Sequence, residues 1–247
     1  RPGGPVTSRG PMRASLGAEH ALFIDGQEVR TARSVPRVSP IDRRLEIGRF
    51  PDGDVSHVER AVAAARRAFE SWRRTPAADR LAIARRVAGL IEERVYAIGA
   101  ALAVEVGKNR MEALGEAQET VAFVRHYADD FEQHGYYEHA LPNDPLPNVV
   151  SRNRSVMRPY GAWVVIAPFN FPLALAGGPA AAALVTGNTV VVKGATDTPW
   201  AGRLLADCIR DADLPPGVFQ YLSGSGREVG EALSAHAATA GITFTGS

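Results

Sequence analysis

A single cysteine, Cys208, stands among the 247 residues, so no disulfide can close within the chain, a pattern that suits a reducing compartment and a cytoplasmic protein. Charge of one sign is missing too: 28 Lys and Arg against 27 Asp and Glu leave a net charge of +1, which excludes a general attraction for nucleic acid. No apolar run approaches the roughly 18 residues of a membrane span, and the charged, apolar and small-residue succession of a secretory signal is not found. The histidines of His134-Gly135-Tyr136-Tyr137-Glu138-His139 have no spacing that suits a compact metal site; they read as surface residues near a bend, and no metal is expected. What is present, with 45% hydrophobic residues, is the composition of a soluble, ordered chain able to bury a sizeable core.

The first 20 residues differ from the rest. Arg1 to Gly10 holds three glycines and two prolines with no apolar period, which predicts disorder. Met12 is then a candidate natural start with vector residues before it, and a transit peptide is disfavoured because amphipathic periodicity is lacking. Further on, Leu22-Phe23-Ile24 and Gln27-Glu28-Val29 flank Asp25-Gly26, a good two-residue hairpin turn. Three helices are predicted from about Val55 to Glu132, with breaks at Thr75-Pro76 and Gly107-Lys108-Asn109. Arginine doublets at Arg66-Arg67, Arg73-Arg74 and Arg85-Arg86, among Glu70, Asp79, Glu92 and Glu93, read as solvated helix faces. Between residues 135 and 160, Pro142, Pro145 and Pro147 precede an alternating polar and apolar stretch from Val149 to Arg158, which suits an edge strand that needs a partner.

Ala162 to Ile166 is a short apolar run rich in β-branched residues, the pattern of a strand buried on both faces of a parallel sheet. It stops at Pro168 and Pro172, which keep the chain between them extended and irregular and bracket one amide, Asn170. Ligands gather at the carboxyl ends of such strands, where Asn170 can offer its NH2 group to an oxygen that gains charge; capping the following helix is the plainer alternative. The pattern recurs downstream: strands at Asn188–Lys193, Phe219–Leu222 and Gly241–Ser247, separated by helices at roughly Leu173–Thr186, Thr198–Ala212 and Arg227–His236. Such alternation implies βαβ units, a parallel sheet with helices on both faces, and a nucleotide-binding class of architecture.

The segments APFNFPL from Ala167, GNTVVVKGATDTP from Gly187, LPPGVFQYLSGSG from Leu214 and ITFTGS from Ile242, in that order and spacing, resemble the NAD(P)-dependent aldehyde dehydrogenase superfamily. The resemblance runs upstream through Glu105-Val106-Gly107-Lys108 to about residue 20. It implies an α/β, Rossmann-like fold divided into a disordered or tag segment (1–20), a hairpin and helices of the cofactor domain (21–134), an extended bridging and oligomerisation segment (135–160) and the NAD(P)-binding part (161–247), in at least a homodimer. It further implies an aldehyde oxidised to an acid through a cysteine thiohemiacetal whose oxyanion Asn170 stabilises. Lys193 would bind the adenosine ribose hydroxyls, and Ile166, Ala167, Pro168, Phe169 and Phe244 would line the cofactor cleft. Gly226 and Gly230 would let backbone approach the adenine side, and Gly246 and Ser247 would begin the loop that meets the pyrophosphate. The element Gly224-x-Gly226-x-x-x-Gly230 is not the familiar dinucleotide fingerprint, because its last spacing is wrong.

Two departures matter. Many members carry a glutamate three residues after the lysine, which repels a 2'-phosphate; here it is Thr196, so tolerance of NADP alongside NAD is expected. The family's nucleophilic cysteine and general-base glutamate lie in a second domain beyond the FTGS strand, whereas Cys208 is placed as a core thiol on a helix. A fragment that is inactive alone is therefore expected, with a half-length, noncatalytic nucleotide-binding relative as the alternative. Glu105 to Glu116 and the form IAPFNFP look like the branch that oxidises glutamate semialdehyde, formed from pyrroline-5-carboxylate; a broad-specificity or coenzyme A-acylating relative stays open.

Overall fold

The structure, a computed structural model, describes residues 16–246. The expected disorder of residues 1–10, the candidate start at Met12 and the role given to Ser247 lie outside the described residues.

The chain opens with short strands β1 (Ala18–Glu19), β2 (Leu22–Ile24), β3 (Gln27–Val29), β4 (Ser34–Val38) and β5 (Glu46–Pro51). Asp25 and Gly26, at φ of 56° and 75°, make the tight turn joining β2 to β3; positive φ at both centres matches strand twist and explains the Asp-Gly pair. Helices α1 (Val55–Trp72), α2 (Ala77–Glu93), α3 (Val95–Val106) and α4 (Arg110–Gln133) follow. The expectation of three helices here is thus corrected to four. The unforeseen joint is Arg94, at φ −98° and ψ 9°, with neither glycine nor proline to announce it. Its guanidinium reaches across to Asp211 at 2.6 Å, so a long-range ion pair stands where the helix turns.

Next come β6 (Glu138–Ala140), β7 (Arg154–Val156), β8 (Ala162–Ile166), α5 (Ala174–Val185), β9 (Thr189–Lys193), α6 (Pro199–Asp211), β10 (Phe219–Leu222), α7 (Glu231–Ala235) and β11 (Thr239–Phe244). The six-stranded sheet has the order β11-β8-β9-β10-β2-β3. Its first four strands are parallel, and the β2–β3 hairpin adds an antiparallel edge beside β10. The expected parallel sheet is present; the antiparallel edge was not anticipated. The stretch from Val149 to Arg158 forms a strand only at Arg154–Val156, paired with Glu138–Ala140 in a two-stranded ribbon.

Alternation along the buried strands divides the core. Val165, Val190, Val192, Phe219 and Tyr221 face α2, α4, α5 and α6, while Ala162, Val164, Val191 and Leu222 face α1 and α7. Both faces of the sheet are therefore covered, as a parallel sheet requires. Trp72, buried at the end of α1, donates its indole N–H to Leu184 O at 3.1 Å, which pays the polar cost of an aromatic ring whose burial contributes about 2–3 kcal/mol. No helix among the described residues is long and apolar enough to cross a membrane. The arginine doublets are exposed, Arg66-Arg67 on α1, Arg85-Arg86 on α2 and Arg73-Arg74 in the turn between them, and Arg85 bridges α2 to Asp129 and Glu132 of α4.

Candidate functional site

Backbone hydrogen bonds tie the carboxyl ends of the four parallel strands into one ledge. Ala167 N–H donates to Lys193 O at 3.1 Å, Gly194 N–H to Leu222 O at 3.0 Å and Thr245 N–H to Ile166 O at 3.1 Å. Ile166, Ala167, Pro168, Lys193, Thr196, Gly226, Gly230, Phe244 and Gly246 are accordingly carried by the loops and strand ends along this one side of the sheet. Phe169 and Phe244 expose 62% and 58% of their surface, apolar area that lies open on the ledge rather than in the core.

Asn170 is exposed in the bend between its two prolines, and its side chain makes no hydrogen bond to the described residues. It does not cap the following helix. The amides of Leu173 and Ala174, at the start of α5, donate instead to Glu116 Oε1 at 2.8 and 3.2 Å. Among the described residues the NH2 group of Asn170 therefore has no acceptor, and it is exposed to a ligand.

Lys193 ends β9 with its side chain buried. Its ammonium donates to Gly194 O at 2.9 Å, leaving two of its three protons for other acceptors. Burial lowers its pKa from the ordinary amine value, against an opposing pull from Asp197. A Cβ on Gly230 would touch the Lys193 stem at 3.8 Å, while one on Gly226 would meet nothing within 4 Å. No protein neighbour demands glycine at Gly226, and the room beside it is what a closely approaching ligand needs. Thr196 Oγ1 donates to Gly224 O at 3.1 Å, tying the loop after β9 to the loop after β10. From Gly226 to Gly230 the chain makes a wide π-helical turn, with Ser225 O accepting from Val229 N–H at 3.0 Å and Gly230 N–H at 3.3 Å; such turns recur at functional sites. Gly224, at φ +146°, takes a backbone shape closed to other residues and brings this turn under Gly53.

Three polar residues behind the ledge had no role in the sequence reading. Glu116, with a fully buried side chain, also meets Lys108 Nζ at 2.6 Å. Glu105 accepts from Trp200 N–H at 2.5 Å and Ala201 N–H at 2.9 Å, at the start of α6; desolvation pushes its pKa up to about 8. Thr198 Oγ1 donates to Phe169 O at 3.1 Å. Each of the two carboxyl groups thus accepts from the first amides of a helix distant in sequence. The only signal was their place in the Glu105–Lys108 and Glu116 stretches already set apart by resemblance.

Cys208 is fully buried on α6, and desolvation pushes its thiol up to about 11 despite the Arg94 guanidinium beside it. A thiol so placed is neither accessible nor ionised, as a nucleophile must be; the core reading agrees with its surroundings. Among the described residues no group of three or more His, Cys, Asp or Glu could hold a metal ion.

Comparison with known proteins bears on this arrangement. Residues 27–247 match the model of the aldehyde dehydrogenase family. The chain is 37% identical over 236 residues to a 1-pyrroline-5-carboxylate dehydrogenase of Geobacillus thermodenitrificans, covering 96% of this chain and 45% of the relative. It is 36% identical to 1-pyrroline-5-carboxylate dehydrogenase 2 of Bacillus subtilis, over 94% of this chain and 44% of that one. Among solved structures, the 1-pyrroline-5-carboxylate dehydrogenase from Thermus with bound NAD superposes with a TM-score of 0.90 at 34% identity, over 96% of this chain and 45% of that one. The NADP-dependent glyceraldehyde-3-phosphate dehydrogenase from Bacillus halodurans complexed with NADP gives 0.85 at 30% identity, over 92% and 48%. The chain thus spans less than half the length of the curated relatives it matches.

Proposed function

Because the chain belongs to the aldehyde dehydrogenase family, we propose that it supplies the cofactor-binding part and the oxyanion amide of an enzyme that oxidises an aldehyde to a carboxylic acid. The observation that carries this reading is Asn170: an exposed amide, unpaired among the described residues, at the carboxyl end of a central parallel strand. When a thiolate attacks an aldehyde carbonyl, its oxygen becomes an alkoxide, and a preorganised donor aimed at that oxygen stabilises it most where charge develops. The thiolate is not Cys208, the one cysteine of the 247 residues; this reading takes it from outside them.

NAD or NADP, when bound, accepts the hydride. The residues on the ledge fit a dinucleotide. Lys193 would offer its free protons to ribose hydroxyls, and Gly226 and Gly230 would admit the adenosine to close backbone contact. Ile166, Ala167, Pro168, Phe169 and Phe244 would form the apolar lining, and Gly246 would lead towards the pyrophosphate. Thr196 would carry no charge against a 2'-phosphate, consistent with use of either cofactor. The substrate favoured is L-glutamate 5-semialdehyde, supported by relatives at 36–37% identity that bear the 1-pyrroline-5-carboxylate dehydrogenase name. A cytoplasmic homo-oligomer, bridged by residues 135–160, completes the reading.

The test uses the protein that carries this chain. Asn170→Ala should lower kcat by about 100- to 1000-fold and leave cofactor affinity nearly unchanged. An unaltered rate removes Asn170 from the oxyanion role, and oxidation of simple aldehydes without the semialdehyde removes the substrate assignment.

A further inference from the structure

Asn170 rides on an arch, residues 168–172, whose fastenings all lie on its neighbours. Phe169 O accepts from Thr198 Oγ1 at 3.1 Å. The Leu173 and Ala174 amides donate to Glu116 Oε1 at 2.8 and 3.2 Å. Lys108 Nζ stands 3.3 Å from the centroid of the Phe171 ring and 2.6 Å from Glu116 Oε2. The Glu116 side chain has no exposure and that of Lys108 only 8%. A carboxylate taken that far from water persists only if both oxygens are satisfied, and here one oxygen holds the foot of the arch while the other holds the cation under its aromatic ring. A cation over an aromatic face is worth most when desolvated, so the same burial strengthens both contacts.

The carboxylate itself has a rigid seat. One turn along α4, Thr120 Oγ1 donates to Glu116 O at 2.8 Å. Gly177 and Gly178 let α5 approach so closely that an added Cβ would stand 2.7 Å from Thr120 Cγ2 and 3.0 Å from the Phe123 ring. Helix α5, whose first amides beyond the arch are those of Leu173 and Ala174, is thereby held close against the face of α4 that carries Glu116.

We propose that Glu116 and Lys108 are positioning residues for Asn170: the buried pair fixes the arch so that the amide is already aimed before an aldehyde arrives. This rests on the oxyanion role proposed for Asn170. The pair touches no reacting atom, and its effect is on where the donor stands.

The test takes Glu116→Gln, Lys108→Met and Lys108→Arg in the protein that carries this chain, and reads both hydrogen exchange and turnover per active site. Glu116→Gln and Lys108→Met should speed exchange at Leu173 and Ala174 by roughly tenfold while the β8–β10 amides keep their protection. Both should lower kcat by about 10- to 100-fold, the effect of a misplaced group, with cofactor affinity held within about twofold. Lys108→Arg, which keeps the cation, should recover most of the rate. A merely structural role would lower the active fraction without changing kcat per active site. Unchanged exchange on the arch, or a loosened arch with kcat intact, overturns the proposal. An Asn170→Ala variant at full rate, with the arch still loosened by Glu116→Gln, shows instead that the oxyanion reading has failed, and the positioning role falls with it.

Discussion

Thr196 spends its hydroxyl on Gly224 O and presents no charge to a cofactor. Thr196→Glu should therefore turn the protein towards NAD: a carboxylate facing a 2'-phosphate is a like-charge contact, and the NADP to NAD ratio in kcat/KM should drop by at least about tenfold. Steady-state kinetics with both cofactors checks it, and an unchanged ratio places position 196 away from the ribose. At this scale the sequence was legible wherever backbone constraint flagged a side chain. Two prolines marked the bend that carries Asn170, and the strand pattern placed Lys193 at the end of β9, where the fold has them. Glu105 and Glu116 were not legible, because each finds its partners far along the chain, at Trp200 and Leu173, and a carboxylate within a helical pattern reads as a solvated face. Cys208 was legible as core because its neighbours on α6 are apolar.

Helix α6 begins on Glu105, and this cap gives the element a pH dependence. The carboxyl has a folded pKa of about 8 against an ordinary 4.5, with desolvation the largest cause. Between those values the folded chain keeps a proton that the unfolded chain has released, so stability falls as pH rises through that window. Glu105→Gln should flatten the decline, so that Tm changes less between about pH 5 and pH 8 than in the unaltered protein; an identical slope in both would sink the argument. Elements were legible where periodicity and turn chemistry agreed, as in the Asp25-Gly26 hairpin and the alternating strands and helices from β8 onward. They were not where tertiary contacts decided: the joint at Arg94 is marked by its reach to Asp211. The sheet of β1, β5 and β4 was missed because Pro36 interrupts β4 and the burial of Ile47 and Phe50 against Trp200 depends on a helix far along the chain.

At the scale of the molecule, apolar side chains lie open beside the β6–β7 ribbon as well as on the ledge. In and beside this ribbon, Val150 is 92% exposed, Met157 70% and Tyr160 77%, apolar area that a partner could cover. The bridging role proposed for this segment predicts self-association that depends on those side chains. Val150→Asp with Met157→Asp should shift the sedimentation coefficient to that of a smaller species; an unchanged value relieves the segment of that role. Edge strand β11 has a consequence of a different kind. Of the three tryptophans, Trp72 and Trp200 are each only 2% exposed, whereas Trp163 is partly open, packs flat over Gly241 and donates to Thr243 Oγ1 at 2.8 Å. The chain therefore carries its own optical gauge: emission from the solvent-quenchable indole reports whether β11 is docked, while the two sealed indoles report on the core.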